Sequence, residues 1–188
     1  MDADADLKGY EMDGSGYLAK IDSFITQGLR INQSNVFDVG DYDGDGTPDF
    51  AILYNTNSIA PNFLLLILTY KNNSFEIITS KVFMDQSAEF SGLFNEAYQS
   101  LGFIDVDNDG IDELVLNIFP YAYIMKKDIT GDKFIYFEEN INTFSVFKGD
   151  LNGNGTPEVL YNYIDGAKFY EFSLPNQPPI PNNVEGFS

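Results

Sequence analysis

The stretch "DVGDYDGDGTPDF", residues 38–50, places aspartates at 41, 43, 45 and 49, with a glycine at 46. Carboxylates crowded this closely repel one another, so the segment is either a solvated acidic loop or a loop built around a cation. Alternate residues of a tightly curled loop direct their side chains at one centre, and glycine permits a turn that a Cβ would obstruct. Ca²⁺ takes about six to eight oxygen ligands, which such a loop can supply.

The same pattern returns along the chain. "DVDNDGIDELVL" (105–116) and "DLNGNGTPEVLY" (150–161) repeat the layout of "DYDGDGTPDFAI" (41–52). Each has oxygen-bearing side chains at loop positions 1, 3 and 5, glycine at position 6, an acid at position 9, and then a β-rich run. "EMDGSGYLAKID" (11–22) is a weaker fourth copy, with Ala19 at position 9. This repetition favours the metal interpretation over a solvated loop.

Predicted ligands follow from aligning the loops. Position 7 can offer its backbone carbonyl whatever its side chain, and the acid at position 9 can close the coordination shell. The predicted metal ligands are Asp41, Asp43, Asp45, Thr47 and Asp49; Asp105, Asp107, Asp109, Ile111 and Glu113; Asp150, Asn152, Asn154, Thr156 and Glu158; and, in the weak copy, Glu11, Asp13 and Ser15. Asp112 is expected to face solvent. The third loop has fewer charges, so we expect it to release Ca²⁺ first.

The expected cofactor is Ca²⁺, at three sites and a fourth, degenerate one, since Mg²⁺ prefers fewer protein ligands. An EF-hand also needs an acid at position 12 and flanking helices, but the three strong copies have Ile52, Leu116 and Tyr161 there. The weak copy leaves the EF-hand open, because its position 12 is Asp22, although "AKIDSFIT" (19–26) alternates more like a strand.

Acids at positions 1, 3, 5 and 9, with Gly-Asp opening two loops (Gly40-Asp41 and Gly149-Asp150), resemble the calcium-binding FG-GAP/VCBS-type repeats. These occur in bacterial surface proteins and in integrin α-subunit β-propellers. The resemblance implies four-stranded blades with the metal loop between the first two strands, and covers most of residues 5–173. The Phe-Gly and Gly-Ala-Pro signatures of integrins are missing, so integrin-type ligand binding is not implied.

The expected fold is all-β: a β-propeller-like array of about four four-stranded blades over residues 1–173, with loops at 11–19, 41–49, 105–113 and 150–158. The predicted strands are 33–40, 49–55, 62–70 and 75–83; 98–105, 113–119, 121–127 and 133–138; 142–149, 157–163 and 167–173; and, in an incomplete first blade, 7–10 and 17–26. "MDQSAEFSGLFNEAYQS" (84–100) has apolar residues at helical spacing and predicts one short helical insertion. Residues 174–188 hold four of the eight prolines and predict an extended tail or linker.

Composition narrows the functional classes. The formal charge of −19 argues against binding to nucleic acid or anionic membranes. Without Cys or His, thiolate or imidazole zinc sites, Ser-His-Asp triads and Cys-His dyads are excluded. The longest apolar run, 63–68, is far short of the roughly 20 residues that a membrane span needs. The start, "MDADADLKGY", shows neither the basic residues nor the apolar stretch of a signal peptide.

The sequence therefore predicts a non-catalytic, calcium-binding module of an extracellular or cell-surface protein, used for adhesion, recognition or surface assembly. Millimolar calcium outside cells can fill weak sites, which is the reason for that location. The expected partner is a surface protein or glycan, or a further chain that completes an open sheet edge. A filament subunit and a lectin are the alternatives. An Asp/Glu-dependent hydrolase is less favoured, because the obvious carboxylates belong to the metal loops.

Overall fold

The computed structural model describes residues 7–12, 18–24, 36–56, 62–84, 99–118, 121–139, 147–163, 166–171 and 180–182. These ranges form fourteen strands. The strands are β1 (Leu7–Met12), β2 (Leu18–Phe24), β3 (Val36–Gly40), β4 (Asp49–Thr56), β5 (Asn62–Lys71), β6 (Ser74–Met84), β7 (Gln99–Ile104), β8 (Glu113–Ile118), β9 (Tyr121–Asp128), β10 (Gly131–Glu139), β11 (Phe147–Gly149), β12 (Glu158–Tyr163), β13 (Gly166–Glu171) and β14 (Ile180–Asn182).

The predicted all-β fold is confirmed. The strands form three four-stranded antiparallel sheets, in the orders β3-β4-β5-β6, β7-β8-β9-β10 and β11-β12-β13-β14, and a two-stranded sheet, β1-β2. The sequence predicted about four four-stranded blades. The described ranges instead form three four-stranded sheets and one two-stranded hairpin. The helical insertion was predicted at 84–100. Its first residue, Met84, ends β6 and Gln99 begins β7, while 85–98 lie outside the described residues. Within these ranges there is also no helix with the length and apolar character to cross a bilayer.

Strand positions follow from side-chain character. All six residues of β8 are buried, including Glu113 and Asn117, and β8 lies between β7 and β9 inside its sheet. The main core lies where the first two four-stranded sheets face each other, and its buried members include Leu53, Leu65, Phe103, Leu114 and Leu116. Between β5 and β6, Asn72 and Asn73 have φ values of 53° and 62°, which is the tight two-residue turn that matches the twist of a hairpin.

Two parts of the prediction change at the ends of the chain. The segments flanking the weak first loop are the paired strands β1 and β2, so the EF-hand alternative, which needs helices there, is wrong. Within the proline-rich tail, β14 pairs with β13, and Pro181 stands opposite Tyr170. Since β14 is the edge of its sheet, it can contain a proline, which has no N–H for a further neighbour.

The first strands of the three larger sheets converge. Asp38 of β3 accepts hydrogen bonds from the N–H of Phe103 in β7, at 2.9 Å, and from Lys148 Nζ of β11, also at 2.9 Å. Lys148 Nζ also donates to the carbonyl of Phe103. Each of these residues lies two or three positions before the loop that follows its strand. The convergence therefore places the starts of all three loops at one end of the sheets.

Candidate metal centres in three loops

The acid at position 1 organises each loop. Asp41 Oδ1 accepts the N–H of Asp45 at 3.1 Å, and Asp41 Oδ2 accepts the N–H of Gly46 at 2.9 Å. Equivalent bonds measure 3.0 and 2.9 Å at Asp105 and 3.0 and 2.8 Å at Asp150. Three loops that are distant in sequence thus have the same backbone curl, held by the same carboxylate.

The acid at position 9 closes each loop from the other side. Asp49 Oδ2 accepts the N–H of Tyr42 at 2.9 Å. Glu113 and Glu158 accept the N–H of the second residue of their own loops, at 2.9 and 2.7 Å. All three carboxylates are buried, and each begins the second strand of its sheet. The predicted position of the loop, between the first two strands, is therefore confirmed.

Positions 6 and 7 explain two further elements of the pattern. The glycines at position 6 have φ values of 80°, 87° and 89°, in the left-handed region where a side chain would be strained. The N–H groups of Thr47, Ile111 and Thr156 each donate to the side chain at position 5, at 2.8, 3.0 and 2.8 Å. Metal ligation by their carbonyls stays a prediction.

In the first loop, one carboxylate oxygen from each of Asp41, Asp43 and Asp45 lies within 4.8 Å of the others, a group that could hold a metal ion. Asp49 is fully buried, and its burial raises its pKa although the nearby Thr69 hydroxyl and backbone N–H groups partly oppose the shift. Among the described residues none donates a hydrogen bond of normal length to Asp49 Oδ1. Lys71, at the end of β5, forms ion pairs with Asp45 and, at 3.7 Å, with Asp43. The loop thus has a carboxylate cluster with a cation at its border.

In the second loop the corresponding group is Asp105, Asp107 and Glu113. The Asp107 side chain is only 6% exposed, and its Oδ1 has no hydrogen-bond donor in the described part of the chain. Lys126, on β9, reaches into this cluster. Its Nζ lies 2.7 Å from Asp107 Oδ2, 2.6 Å from Asp109 Oδ2 and 2.8 Å from Glu113 Oε1.

The two lysines shape the electrostatics of these loops. Burial raises the pKa of Glu113 to about 7, although Lys126 and a backbone N–H partly oppose the shift. Burial disfavours the charged form of Lys126, but its bonds to Asp107, Asp109 and Glu113 outweigh this and raise its pKa above the ordinary value. The bond from Lys71, with help from the Thr47 N–H, lowers the pKa of Asp45 to about 2.

The third loop is completed by a residue that the repeat pattern does not contain. Glu171 of β13 stands directly opposite Glu158 in the sheet. Its Oε2 accepts hydrogen bonds from Asn152 Nδ2 at 3.2 Å and from Asn154 Nδ2 at 2.9 Å. Glu171 therefore adds a third carboxylate beside Asp150 and Glu158, and the charge count that made this loop the expected weakest site was incomplete.

The fourth, degenerate loop is described only at its edges. Glu11 lies in β1 opposite Ala19, whereas Asp13 and Ser15 lie outside the described residues. The structure therefore does not test the ligand roles predicted for this copy.

The expectation that Asp112 faces solvent is wrong. Its Oδ2 accepts the N–H of Asp41 at 2.9 Å, and its own N–H donates to the carbonyl of Asp41 at 3.0 Å. A Cβ added at Gly40 would lie 2.5 Å from Phe103 Cβ and 2.7 Å from Asp112 Oδ2. The first two loops are therefore in direct contact, and Asp112 acts in that contact.

The geometry and the donor chemistry agree on what these loops can do. Their side chains offer carboxylate and amide oxygens, which suit hard cations such as Ca²⁺ and Mg²⁺. Buried carboxylate oxygens without a donor carry a cost that a bound cation would remove. No protein-family model matches the chain, and no curated protein matches its sequence. In the described residues two acidic groups, one in the first loop and one in the second, could hold a metal ion.

Proposed function

We propose that the chain is a non-catalytic, calcium-binding module whose folded state is stabilised by Ca²⁺ in its loops. The observation that carries the proposal is the shared geometry of the loops. All three use the acids at positions 1 and 9 to bind backbone N–H groups. In two of them a further oxygen, Asp49 Oδ1 or Asp107 Oδ1, is buried and accepts no hydrogen bond of normal length from the part of the chain that the structure describes. A loop that only needed solubility would not bury such an oxygen.

Calcium would act on folding through electrostatics. Without an ion, each loop brings several like charges together in a tight turn, and this repulsion opposes folding. A bound Ca²⁺ turns the repulsion into attraction and fixes the hairpin between the first two strands. For one independent site the free energy gained is RT ln(1 + [Ca²⁺]/Kd), about 2.7 kcal/mol at a calcium concentration one hundred times Kd.

The loop lysines support an extracellular or cell-surface location. Lys71 and Lys126 already neutralise part of the carboxylate charge in their loops, so the loops should bind Ca²⁺ weakly. Sites with a Kd of about 10⁻⁴–10⁻³ M are typical of extracellular modules and would be empty at cytosolic calcium levels. The proposed role there is adhesion, recognition or surface assembly, with a surface protein, a glycan or a further copy as the partner.

For the arrangement of the sheets we propose a propeller-like array of the FG-GAP/VCBS kind. Its support is the contact among the first strands, through Asp38, Phe103 and Lys148, because the first strands of propeller blades surround the central channel. The contact between Asp41 and Asp112 adds a second link, between neighbouring loops. The role in adhesion remains an analogy at the level of the fold.

A second candidate function, carbohydrate binding, has one observation in its favour. Phe134 and Phe137 of β10 are 47% and 48% exposed, and both contact Tyr123 of β9 at centroid distances of 5.5 and 5.3 Å. Tyr121 stacks on Phe137 at 5.7 Å. Exposed aromatic faces can stack on sugar rings. Binding on a glycan array that is lost with Phe137→Ala would support this candidate, and unchanged binding would exclude this surface.

The main proposal is tested by thermal unfolding with and without calcium. We expect millimolar Ca²⁺ to raise the melting temperature and EDTA to reverse the rise. Asp43→Ala and Asp107→Ala should each reduce the gain, because each removes a carboxylate from one of the acidic groups. Glu76→Ala is the matched control, since Glu76 is an exposed acid on β6 outside the loops. If calcium changed the melting temperature of neither the wild type nor any of the variants, the proposal would be refuted.

A further inference from the structure

The residue that stands opposite the position-9 acid is chemically different in each of the three sheets. On the third strand of each sheet, the residue opposite the position-9 acid is Thr69 in the first and Glu171 in the third. In the second sheet Leu114 stands opposite Met125, so the next pair in the same register is Glu113 and Lys126. One structural position thus contains a hydroxyl, a cation or an acid.

In the second loop this position holds a charge that a metal ion would also supply. Lys126 Nζ has three carboxylate oxygens, from Asp107, Asp109 and Glu113, at 2.6–2.8 Å. Two of these residues, Asp107 and Glu113, belong to the acidic group that could hold a metal ion. The Lys126 side chain is only 18% exposed, so water screens these pairs less than it screens pairs at the surface.

An ammonium group and Ca²⁺ cannot both occupy one cage of carboxylates. Calcium ligands lie about 2.3–2.6 Å from the ion, so an ion that took Asp107 Oδ2 and Glu113 Oε1 as ligands would compete with Nζ, which lies 2.7 and 2.8 Å from the same two oxygens. Lysine has a long, flexible stem, so the Lys126 ammonium group can move out of the carboxylate cluster while β9 keeps its register in the sheet. In the first loop, Lys71 lies two residues beyond Thr69 and pairs with Asp43 and Asp45, at the border of the cluster.

We propose that Lys126 is a tethered cation that stabilises the second loop without calcium and competes with calcium for the same carboxylates. Glu171, at the same position of the third sheet, instead adds a carboxylate next to the loop. The third-strand residue therefore sets the cation affinity of each loop, in addition to the loop's own acids. This inference rests on the proposed function, because it presumes that the loops bind Ca²⁺.

The test compares Lys126→Met with Lys127→Met by calorimetric titration with CaCl₂. Both variants lose one positive charge from adjacent residues, but Lys127 pairs with Asp132 outside the loops. Removing a cation that is in contact with the binding carboxylates should tighten one calcium site by at least about tenfold. The Lys127→Met variant should titrate like the wild type, and Lys126→Arg, which keeps the charge, should not tighten the site.

Thermal unfolding gives a second readout. Lys126→Met should melt below the wild type in EDTA, because three carboxylates lose their counter-ion, and should gain more from calcium than the wild type does. If Lys126→Met is unfolded in EDTA, folding that returns on addition of Ca²⁺ supports the proposal. A variant that stays unfolded at every calcium concentration counts against it.

The outcomes separate this proposal from the one on which it rests. Equal affinities in the wild type and Lys126→Met, or equal tightening in Lys126→Met and Lys127→Met, would overturn the role of Lys126 and leave calcium binding intact. Absence of calcium binding in all the variants and in the wild type would overturn both.

Discussion

The substitution Gly40→Ala tests the contact between the first two sheets. Carbon atoms in favourable contact lie about 3.5–4.0 Å apart, whereas a Cβ at Gly40 would lie 2.5 Å from Phe103 Cβ and 2.6 Å from Phe103 Cγ. Phe103 is only 2% exposed and packs against Tyr42 at a centroid distance of 5.9 Å, so it has little room to move away. Overpacking of this kind costs about 1–3 kcal/mol.

The sign of the effect makes the prediction specific. Gly40 ends β3 and is not among the glycines with positive φ, so alanine fits its backbone. In an open strand, replacing glycine with alanine would stabilise the fold by about 0.5–1 kcal/mol. We expect instead a loss, of about 2–4 °C in melting temperature for each kcal/mol in a chain of this size.

Differential scanning calorimetry in a calcium-containing buffer measures the change. Val39→Ala is the control, because Val39 is the adjacent residue of β3 and is exposed. It should lower the melting temperature by much less. A Gly40→Ala variant that melts at or above the wild-type temperature would refute the close approach of β3 and β7.

Two further predictions concern contacts between the sheets. Tyr42→Phe removes the 3.2 Å hydrogen bond from the Tyr42 hydroxyl to Asp132 Oδ1. Because Asp132 keeps its hydrogen bonds from Thr79, denaturant unfolding should show that the free energy of unfolding falls by only about 1 kcal/mol. A fall as large as that caused by a core cavity would contradict this. Burial opposes the ionisation of Asp38, but the bonds from Lys148 and Phe103 outweigh it and lower the Asp38 pKa below its usual 3.8. The contribution of Asp38 to stability should therefore be complete above pH 3.8 and should decrease as the pH falls through the lowered pKa. Asp38→Asn should flatten the pH dependence of the melting temperature in that range. An unchanged pH profile would contradict the bonds of Asp38 to Lys148 and Phe103.

Local patterns in the sequence were sufficient for the loop framework and for most of the strands, although not for β14. The predicted strand 49–55 is β4, Asp49–Thr56, and the predicted 62–70 is β5, Asn62–Lys71. These segments are predictable because apolar and β-branched side chains, and the turn residues that bound them, act within a few residues of the chain. The roles of Gly46 and Asp49 also follow from local geometry, since the loop needs a left-handed turn and a closing acid.

Contacts between distant parts of the chain were not predictable from the repeat. Asp112 bonds to Asp41 across 71 residues, so spacing within the loop could not show that it turns away from solvent. Lys126 and Glu171 come from third strands, 17 and 19 residues from their loop partners. Only the register of the sheet places them opposite the last acid of the loop. Counting charges along the loop alone therefore leaves out Lys126 and Glu171, and the order in which the loops release Ca²⁺ stays a prediction.

Calcium binding itself is tested most directly by crystals grown in calcium chloride and measured for anomalous scattering. We predict a peak in each of the three loops, with oxygen atoms of Asp41, Asp105 and Asp150 or their loop neighbours about 2.3–2.6 Å away. In the second loop, Lys126 Nζ should have moved out of the carboxylate cluster. Loops that contain only water at saturating calcium, with Lys126 still bound to Asp107, Asp109 and Glu113, would contradict the account.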